Sequence, residues 1–245
     1  VTDIHGNTNT CMVEVTVDDK LKPTITCPPN ITLSCTDNYD LAHLDIFGKV
    51  VTDLNTVKNI VIQNHYHNGI VGKDGLAKDN CTVTVTEKYT TNIHCHTGQI
   101  FRTFIATDGQ GLKDSCTQTI TILNPDPFAE NNITWPTHYY GNGCRSDQSD
   151  PSVTGKPTFS NTSCGNIAAT YEDTPFYIAD GACVKIIRLW TVVDWCQFDG
   201  VNTKGKWGPY TQIIKLHNTD KPVILSSCSD TTFCSYDNDC KKSIV

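Results

Sequence analysis

The sequence carries one methionine, no cysteines at metal-chelating spacing, no basic run and no long apolar stretch. Each absence removes a class of function. Without roughly 20 consecutive apolar residues, no helix can cross a bilayer, so no membrane span is expected in this segment. Lys and Arg number 19 against 26 Asp and Glu, a net charge of -7. Nucleic acid, whose phosphates demand a positive face, is therefore not an expected partner. Zinc sites would need Cys-x-x-Cys or Cys-x-x-His pairs, which do not occur. Gly-x-Ser-x-Gly, His-Glu-x-x-His and phosphate-cradling loops are also missing, so the chain is not expected to be an enzyme. A cysteine–histidine nucleophile at Cys95 would be consumed by a disulfide. Ala is sparse while Thr, Asn and Asp abound, which favours strands and turns over helices.

What the sequence does have is cysteine: thirteen in 245 residues. They are widely spaced, between about 6 and 46 residues apart, as cross-strand staples would be. A reducing cytosol would leave so many thiols open to mispairing, so an oxidising, extracellular or cell-surface setting is expected. No signal peptide opens the sequence, so a mature product or an internal piece of a longer protein is expected.

Self-similarity is the strongest organising signal. Val1-Thr2-Asp3, Gly6-Asn7-Thr8, Cys11 and Val15-Thr16-Val17 return as Ala106-Thr107-Asp108, Gly111, Cys116 and Ile120-Thr121-Ile122, a period of 105 residues. In each copy the alternating apolar residues after the cysteine predict a half-buried strand, and the glycine-containing segment before it a hairpin turn. A unit-opening element also recurs, as Lys22-Pro23-Thr24-Ile25-Thr26-Cys27 and as Lys221-Pro222-Val223-Ile224 with Cys228. The expected division is the end of one unit at 1–17, complete units at 18–124 and 125–217, and the start of another at 218–245. Arg188-Leu189-Trp190-Thr191-Val192-Val193-Asp194 aligns with Arg102-Thr103-Phe104-Ile105-Ala106-Thr107-Asp108. The aromatic in each predicts a core-facing ring flanked by outward polar groups. Short strands punctuated by Gly, Pro and Asn indicate an all-β fold of tandem immunoglobulin-like β-sandwiches stapled by disulfides. A segment that starts and stops inside units suggests a stretch of a continuous array.

The string Thr-Asp-x-x-Gly-Asn-x-x-x-Cys-x-x-x-Val-Thr-Val, followed by Lys-Pro-x-Ile-Thr-Cys-Pro-Pro-Asn-Ile, resembles hyalin-repeat (HYR) domains. The Arg-Leu-Trp-Thr-Val-Val-Asp-Trp-Cys of the second unit is similar to variants in giant secreted surface proteins of Bacteroidota, Saprospira relatives among them. The resemblance covers essentially the whole chain, though the second unit lacks the opening Cys-Pro and the closing-strand cysteine. It implies an immunoglobulin-like repeat in extracellular adhesion or filament building, with no catalytic residues.

Under that organisation Cys27 is expected to pair with Cys116, joining first and last strands. Cys81 with Cys95 and Cys164 with Cys183 would each staple a hairpin, and Cys144 would pair with Cys196. Cys35 is left without a partner inside its unit, because Gly109-Gln110 occupies the place of Cys196. Cys11 and Cys228 are expected to pair outside their own units, either along one long chain or between copies. Cys240 would join Cys234 or stay free. Acidic residues at the unit junctions, Asp18, Asp19, Asp126 and Asp220, are the positions where calcium would bind. A solvated linker is the competing reading, favoured because no EF-hand or nonapeptide ligand spacing is present. His65 with His67, and His94 with His96, share strand faces a metal can use, but without a third ligand they read as surface histidines. Trp190 is expected in a core.

The function expected from all this is a structural repeat segment of an extracellular filament or cell-surface fibre, partnered by copies of itself or neighbouring units. The alternatives are a stalk of a secreted adhesin and accessory domains of a secreted enzyme.

Overall fold

The computed structural model describes residues 1–15, 18–179, 182–201 and 203–219. Within them the protein is all-β, with only short 3-10 segments and a single helical turn at Pro151–Thr154. The strands fall into two sets. The N-terminal set is β1 (Thr24–Thr26), β2 (Ile31–Ser34), β3 (Val50–Val51), β4 (Asn59–Gln63), β5 (Asn68–Lys73), β6 (Gly75–Lys78), β7 (Val83–His94), β8 (Thr97–Asp108) and β9 (Lys113–Leu123). The C-terminal set is β10 (Ile133–Thr134), β11 (Tyr139–Asn142), β12 (Thr158–Phe159), β13 (Ile167–Ala179), β14 (Ala182–Asp194) and β15 (Lys206–His217). Among the described residues, every strand pairs only within its own set.

The main sheets repeat one plan. In the N-terminal set the order is β2-β9-β8-β7, and in the C-terminal set β11-β15-β14-β13. A long antiparallel hairpin pairs with a final strand, and a short strand joins that final strand in parallel: β2 on β9, β11 on β15. Alternation dictates this arrangement. Ile100, Arg102, Phe104, Ala106 and Asp108 of β8 point inward, as do Val184, Ile186, Arg188, Trp190, Val192 and Asp194 of β14. The expected core place of Trp190 is seen. The arginines, though, lie inward beside the rings instead of outward, because residues two apart on a strand share a face.

Ile31, Leu33, Ile100, Ile120 and Ile122 of the N-terminal sheet pack with Leu44 and Phe47 of a 3-10 turn, with Ile62 of β4 and Val71 of β5 against them. This makes a two-layer sandwich. Each fully buried Ile or Phe contributes roughly 1.5–3 kcal/mol relative to exposure. A second core joins Phe128, Ile133 and Val192 to Trp135, Phe159, Ile167 and Trp207. A third joins Val184, Ile186, Ile214 and Leu216.

In space the chain forms two compact units, and their limits differ from the strand sets. One comprises Val1–Pro136, Lys156–Glu172 and Leu189–Thr211; the other comprises Thr137–Gly155, Asp173–Arg188 and the chain from Gln212. The first unit thus takes in the N-terminal set together with parts of the C-terminal one.

The repeated Asp of the sequence organises turns. Asp3 Oδ1 accepts from the N–H groups of His5 and Asn7, and Asp108 Oδ1 from those of Gln110 and Leu112. The glycines that follow, Gly6 at φ 83° and Gly111 at φ 88°, take left-handed conformations that side-chain-bearing residues disfavour.

Candidate functional site: a doubly bridged junction

Four disulfides are formed among the described residues. Cys27, just after β1, is joined to Cys116 of β9, with Cα atoms 5.7 Å apart. The remaining three differ from the pairings expected above. Cys95 is bonded to Cys196, Cys35 to Cys164, and Cys144 to Cys183, with Cα separations of 5.5, 5.8 and 5.1 Å. Cys81 is a free, exposed thiol, as is Cys11. Cys228, Cys234 and Cys240 lie outside the described residues, as does all but 218–219 of the unit start expected at 218–245.

Strand length is the physical reason for the corrections. β7 is 12 residues long and separates Cys81 from Cys95. At about 3.3 Å per residue that is roughly 40 Å, far beyond the ~7 Å Cα limit of a disulfide. The same holds for Cys164 and Cys183, which flank the 13-residue β13. Cys144 is bonded to Cys183 at the start of β14, whereas Cys196 follows the far end of that 13-residue strand. A hairpin with long arms cannot be stapled from its open end to its turn.

Two of the pairs, Cys95–Cys196 and Cys35–Cys164, join the two strand sets, both inside the first compact unit. The β7–β8 turn carries Cys95 forward to the loop after β14. The end of β2 carries Cys35 to the loop before β13. Between these bridges a cleft of about 270 Å³ is lined by His94, Asn124, Pro127, Asp194, Gln197 and Lys204 together with Cys95, Cys164 and Cys196. Asp194 fixes the receiving loops. Only 2% exposed, it accepts from the N–H groups of Asn166 and Cys196 at 3.0 Å through Oδ1. Its Oδ2 accepts from Gln197 Nε2 at 2.7 Å, and that nitrogen also donates to the Phe128 carbonyl at 2.8 Å. One buried carboxylate therefore orders the backbone just after Cys164 and at Cys196 itself, and its hydrogen-bonding capacity is met, as burial requires. Asn161 Nδ2 donates to the carbonyl and to Oδ2 of Asp126, both at 3.0 Å, tying the linker to the same region.

The bridges span 129 and 101 residues of sequence. Loops of that size lose roughly 4–5 kcal/mol each of unfolded-state chain entropy on closure. Chemically the site can transmit force and fix geometry.

Asp18 is paired with Lys20, and Asp126 with Asn161. Among the described residues the one grouping of three potential ligands is Asp19, Asp79 and Cys81. Turned so that its nitrogen faces the carboxylates, the Asn80 amide donates to Asp19 Oδ2 at 2.9 Å and Asp79 Oδ1 at 3.1 Å. Desolvation, with Asp19 next, pushes the Cys81 thiol pKa up; hydrogen bonding, chiefly from the Leu21 N–H, lowers that of Asp19. Asp220 lies outside the described residues. His67 accepts from the Thr32 N–H at 3.1 Å and so serves the backbone. His96 sits in the β7–β8 turn, and His94 in the cleft wall.

Sequence reasoning missed a polar network repeated in both sets. Arg102 Nε donates to Glu87 at 2.7 Å, and Nη1 to the Gly48 carbonyl at 2.9 Å and Gln118 at 2.6 Å. Arg188 Nε and Nη2 donate to the two oxygens of Asp173 at 2.7 Å, with further bonds to Thr154 and the Ser149 carbonyl. In each case the acid lies 15 residues before the arginine. Gln118 and Gln212 of the final strands bind backbone carbonyls beside them.

No family model matches the chain, and no curated protein matches it. Solved structures to which it is similar include the human mucin-like protocadherin EC1-2. There the identity is 7% and the TM-score 0.26, over 80% of this chain and 98% of that one. Another is Drosophila N-cadherin EC1-4, at 10% identity and TM-score 0.27, over 82% of this chain and 50% of that one. Scores this low carry no argument about function.

Proposed function

We propose that the chain is a structural repeat segment of an extracellular filament or cell-surface fibre, with repeat units at about 18–124 and 125–217. The observation that carries this reading is the pair of disulfides, Cys35–Cys164 and Cys95–Cys196, that ties one strand set to the next. A tandem array joined only by a linker such as Asn124-Pro125-Asp126-Pro127 bends freely. Two covalent bridges emerging from different elements turn that hinge into a fixed joint, which a load-bearing rod needs and an independently acting domain does not. Disulfides in this number persist in oxidising surroundings, which supports a secreted or surface location. The long outer strands β7 and β13 leave one backbone edge each at the margin of a sheet, a resource for lateral pairing between copies.

Electron microscopy of the native, unreduced material tests the reading. Ordered filaments with an axial repeat matching a whole number of sandwiches are expected. Flexible single strings without helical order would overturn it and leave the stalk of an adhesin.

A further inference from the structure

The margins of the two main sheets are unequal. A strand at a margin offers N–H and C=O groups to any strand laid beside it, so soluble proteins shorten, bulge or interrupt such strands. β2 and β11, at one margin of each sheet, are four residues long, and β13 carries Pro175, which has no N–H. β7 has none of these defences. It runs 12 residues, pairs with β8 in a register unbroken from Val83 to His94, and contains no proline and one lysine.

The backbone shows which groups are on offer. A Cβ added to Gly98 would lie 2.0 Å from the Asn92 carbonyl oxygen, so that carbonyl turns toward β8. Along an antiparallel strand, residues alternate between directing both backbone groups to one neighbour and directing both to the other. The even-numbered residues of β7 therefore bond to β8, and Val85, Glu87, Tyr89, Thr91 and Ile93 direct their groups away from it. Among the described residues no backbone partner is seen for these five. Their side chains lie on the core side of the sheet, where Glu87, Tyr89 and Val85 stand opposite the buried Phe104, Arg102 and Ala106. Val85 and Ile93 are half-buried, while Tyr89 keeps 46% of its surface exposed.

We propose that the β7 edge pairs antiparallel with the β7 edge of a second copy, about a two-fold axis at Tyr89. The strand is self-complementary about that point. Val85 falls opposite the second copy's Ile93, apolar on apolar. Glu87 falls opposite its Thr91, Lys88 opposite its Thr90 and Thr86 opposite its Asn92, so no like charges meet. Neighbouring registers fail. An axis at Lys88 or Glu87 sets identical charges face to face, and an axis at Thr90 sets Glu87 against Ile93. A two-fold contact closes on itself, so it ties two arrays side by side and extends neither. One strand pair belongs to the weak, transient class of interface, and repetition along two arrays multiplies it.

The inference deepens the filament reading and rests on it, and the test separates the two. Single cysteines are placed on β7 of the full chain in a Cys11→Ser, Cys81→Ser background, which removes two exposed free thiols. Dimer formed under an added oxidant is read on non-reducing gels against the background protein. In this register Tyr89 meets its own copy at a Cα distance of about 5.5 Å, within disulfide reach. Tyr89→Cys is therefore expected to give a reductant-sensitive dimer. Lys88 and Thr90 lie only diagonally from their own copies, about 7–8 Å away and out of reach. Lys88→Cys and Thr90→Cys are expected to cross-link poorly alone and well when mixed. No dimer above background from Tyr89→Cys, or as much from either exposed variant alone as from the mixture, overturns the proposal. Filaments seen by microscopy whose Tyr89→Cys subunits stay unlinked would sink the edge pairing and spare the filament. Linked pairs from material that forms no filaments would do the reverse.

Discussion

Arg102 and Arg188 put guanidinium groups where strand alternation would seat an aliphatic side chain, and their worth depends on what meets them. Both are essentially fully buried. Arg188 faces Asp173 in a two-bond, fork-like pair, whereas Arg102 makes one bond to Glu87, stacks 5.0 Å over Phe104, and has a buried Nη2 without a partner. Removing one member of a buried pair strands the other charge, at a cost of about 3–5 kcal/mol. Asp173 is partly solvated, so Asp173→Ala is expected near the lower end, about 3 kcal/mol by the same reasoning. Glu87→Ala, losing a single bond to a more exposed acid, should cost less than Asp173→Ala. Urea unfolding with disulfides intact checks the order; an equal or larger loss for Glu87→Ala would refute the two-bond account. At this scale the sequence was partly legible. Arg102 and Phe104 are two apart, so their common face was readable, and that parity alone places the arginine inside. The acids 15 residues upstream became meaningful only once β7 pairs with β8 in the register Glu87↔Phe104, beside Arg102.

Among the elements, the hairpins govern the outcome. The sequence shows alternation and turn residues: the strand expected after Cys116 is found as β9, whereas the alternation at Val13-Glu14-Val15 is exposed and forms no strand. It does not show how far each arm runs. Short strands were expected, whereas arms of 12 and 13 residues form, and arm length decides which cysteines are neighbours. Cys27–Cys116 does not depend on that length, since it joins the residue after β1 to a residue inside β9 and spans neither arm of the β7–β8 hairpin; the other expected pairs did depend on it. The β7–β8 turn adds a conformational cost. Cys95 at φ 51° and His96 at φ 62° both adopt the left-handed region in a two-residue loop, where Asn-Gly is the natural choice. Cys95 is required there for its bond to Cys196, while exposed His96 has no such duty. His96→Gly is expected to raise the melting temperature, by an amount corresponding to about 1 kcal/mol. Calorimetry under non-reducing conditions reads this directly, and a lowered melting temperature would mean that the imidazole makes a stabilising contact outweighing the strain.

For the whole molecule, the question is what keeps consecutive strand sets in register. No strand crosses between them among the described residues, so sheet hydrogen bonding cannot do it. Among the described residues the ties seen there include the linker with its Asp126–Asn161 and Gln197–Phe128 contacts, and the two disulfides. A polar contact of this exposed kind contributes roughly 0.5–1.5 kcal/mol, too little to hold two sandwiches against thermal bending, so rigidity must come from the covalent bridges. Either bridge alone leaves a pivot about its own axis, and together they remove it. The double variant Cys35→Ser, Cys95→Ser is therefore expected to broaden the distance distribution between spin labels placed on β5 and β12, and to expose the linker at 124–127 to protease. Each single variant should broaden it only partly. An unchanged distribution in the double variant would show that packing around Phe128 and the Asp194 loops holds the joint, with the disulfides merely locking what non-covalent contacts had already set.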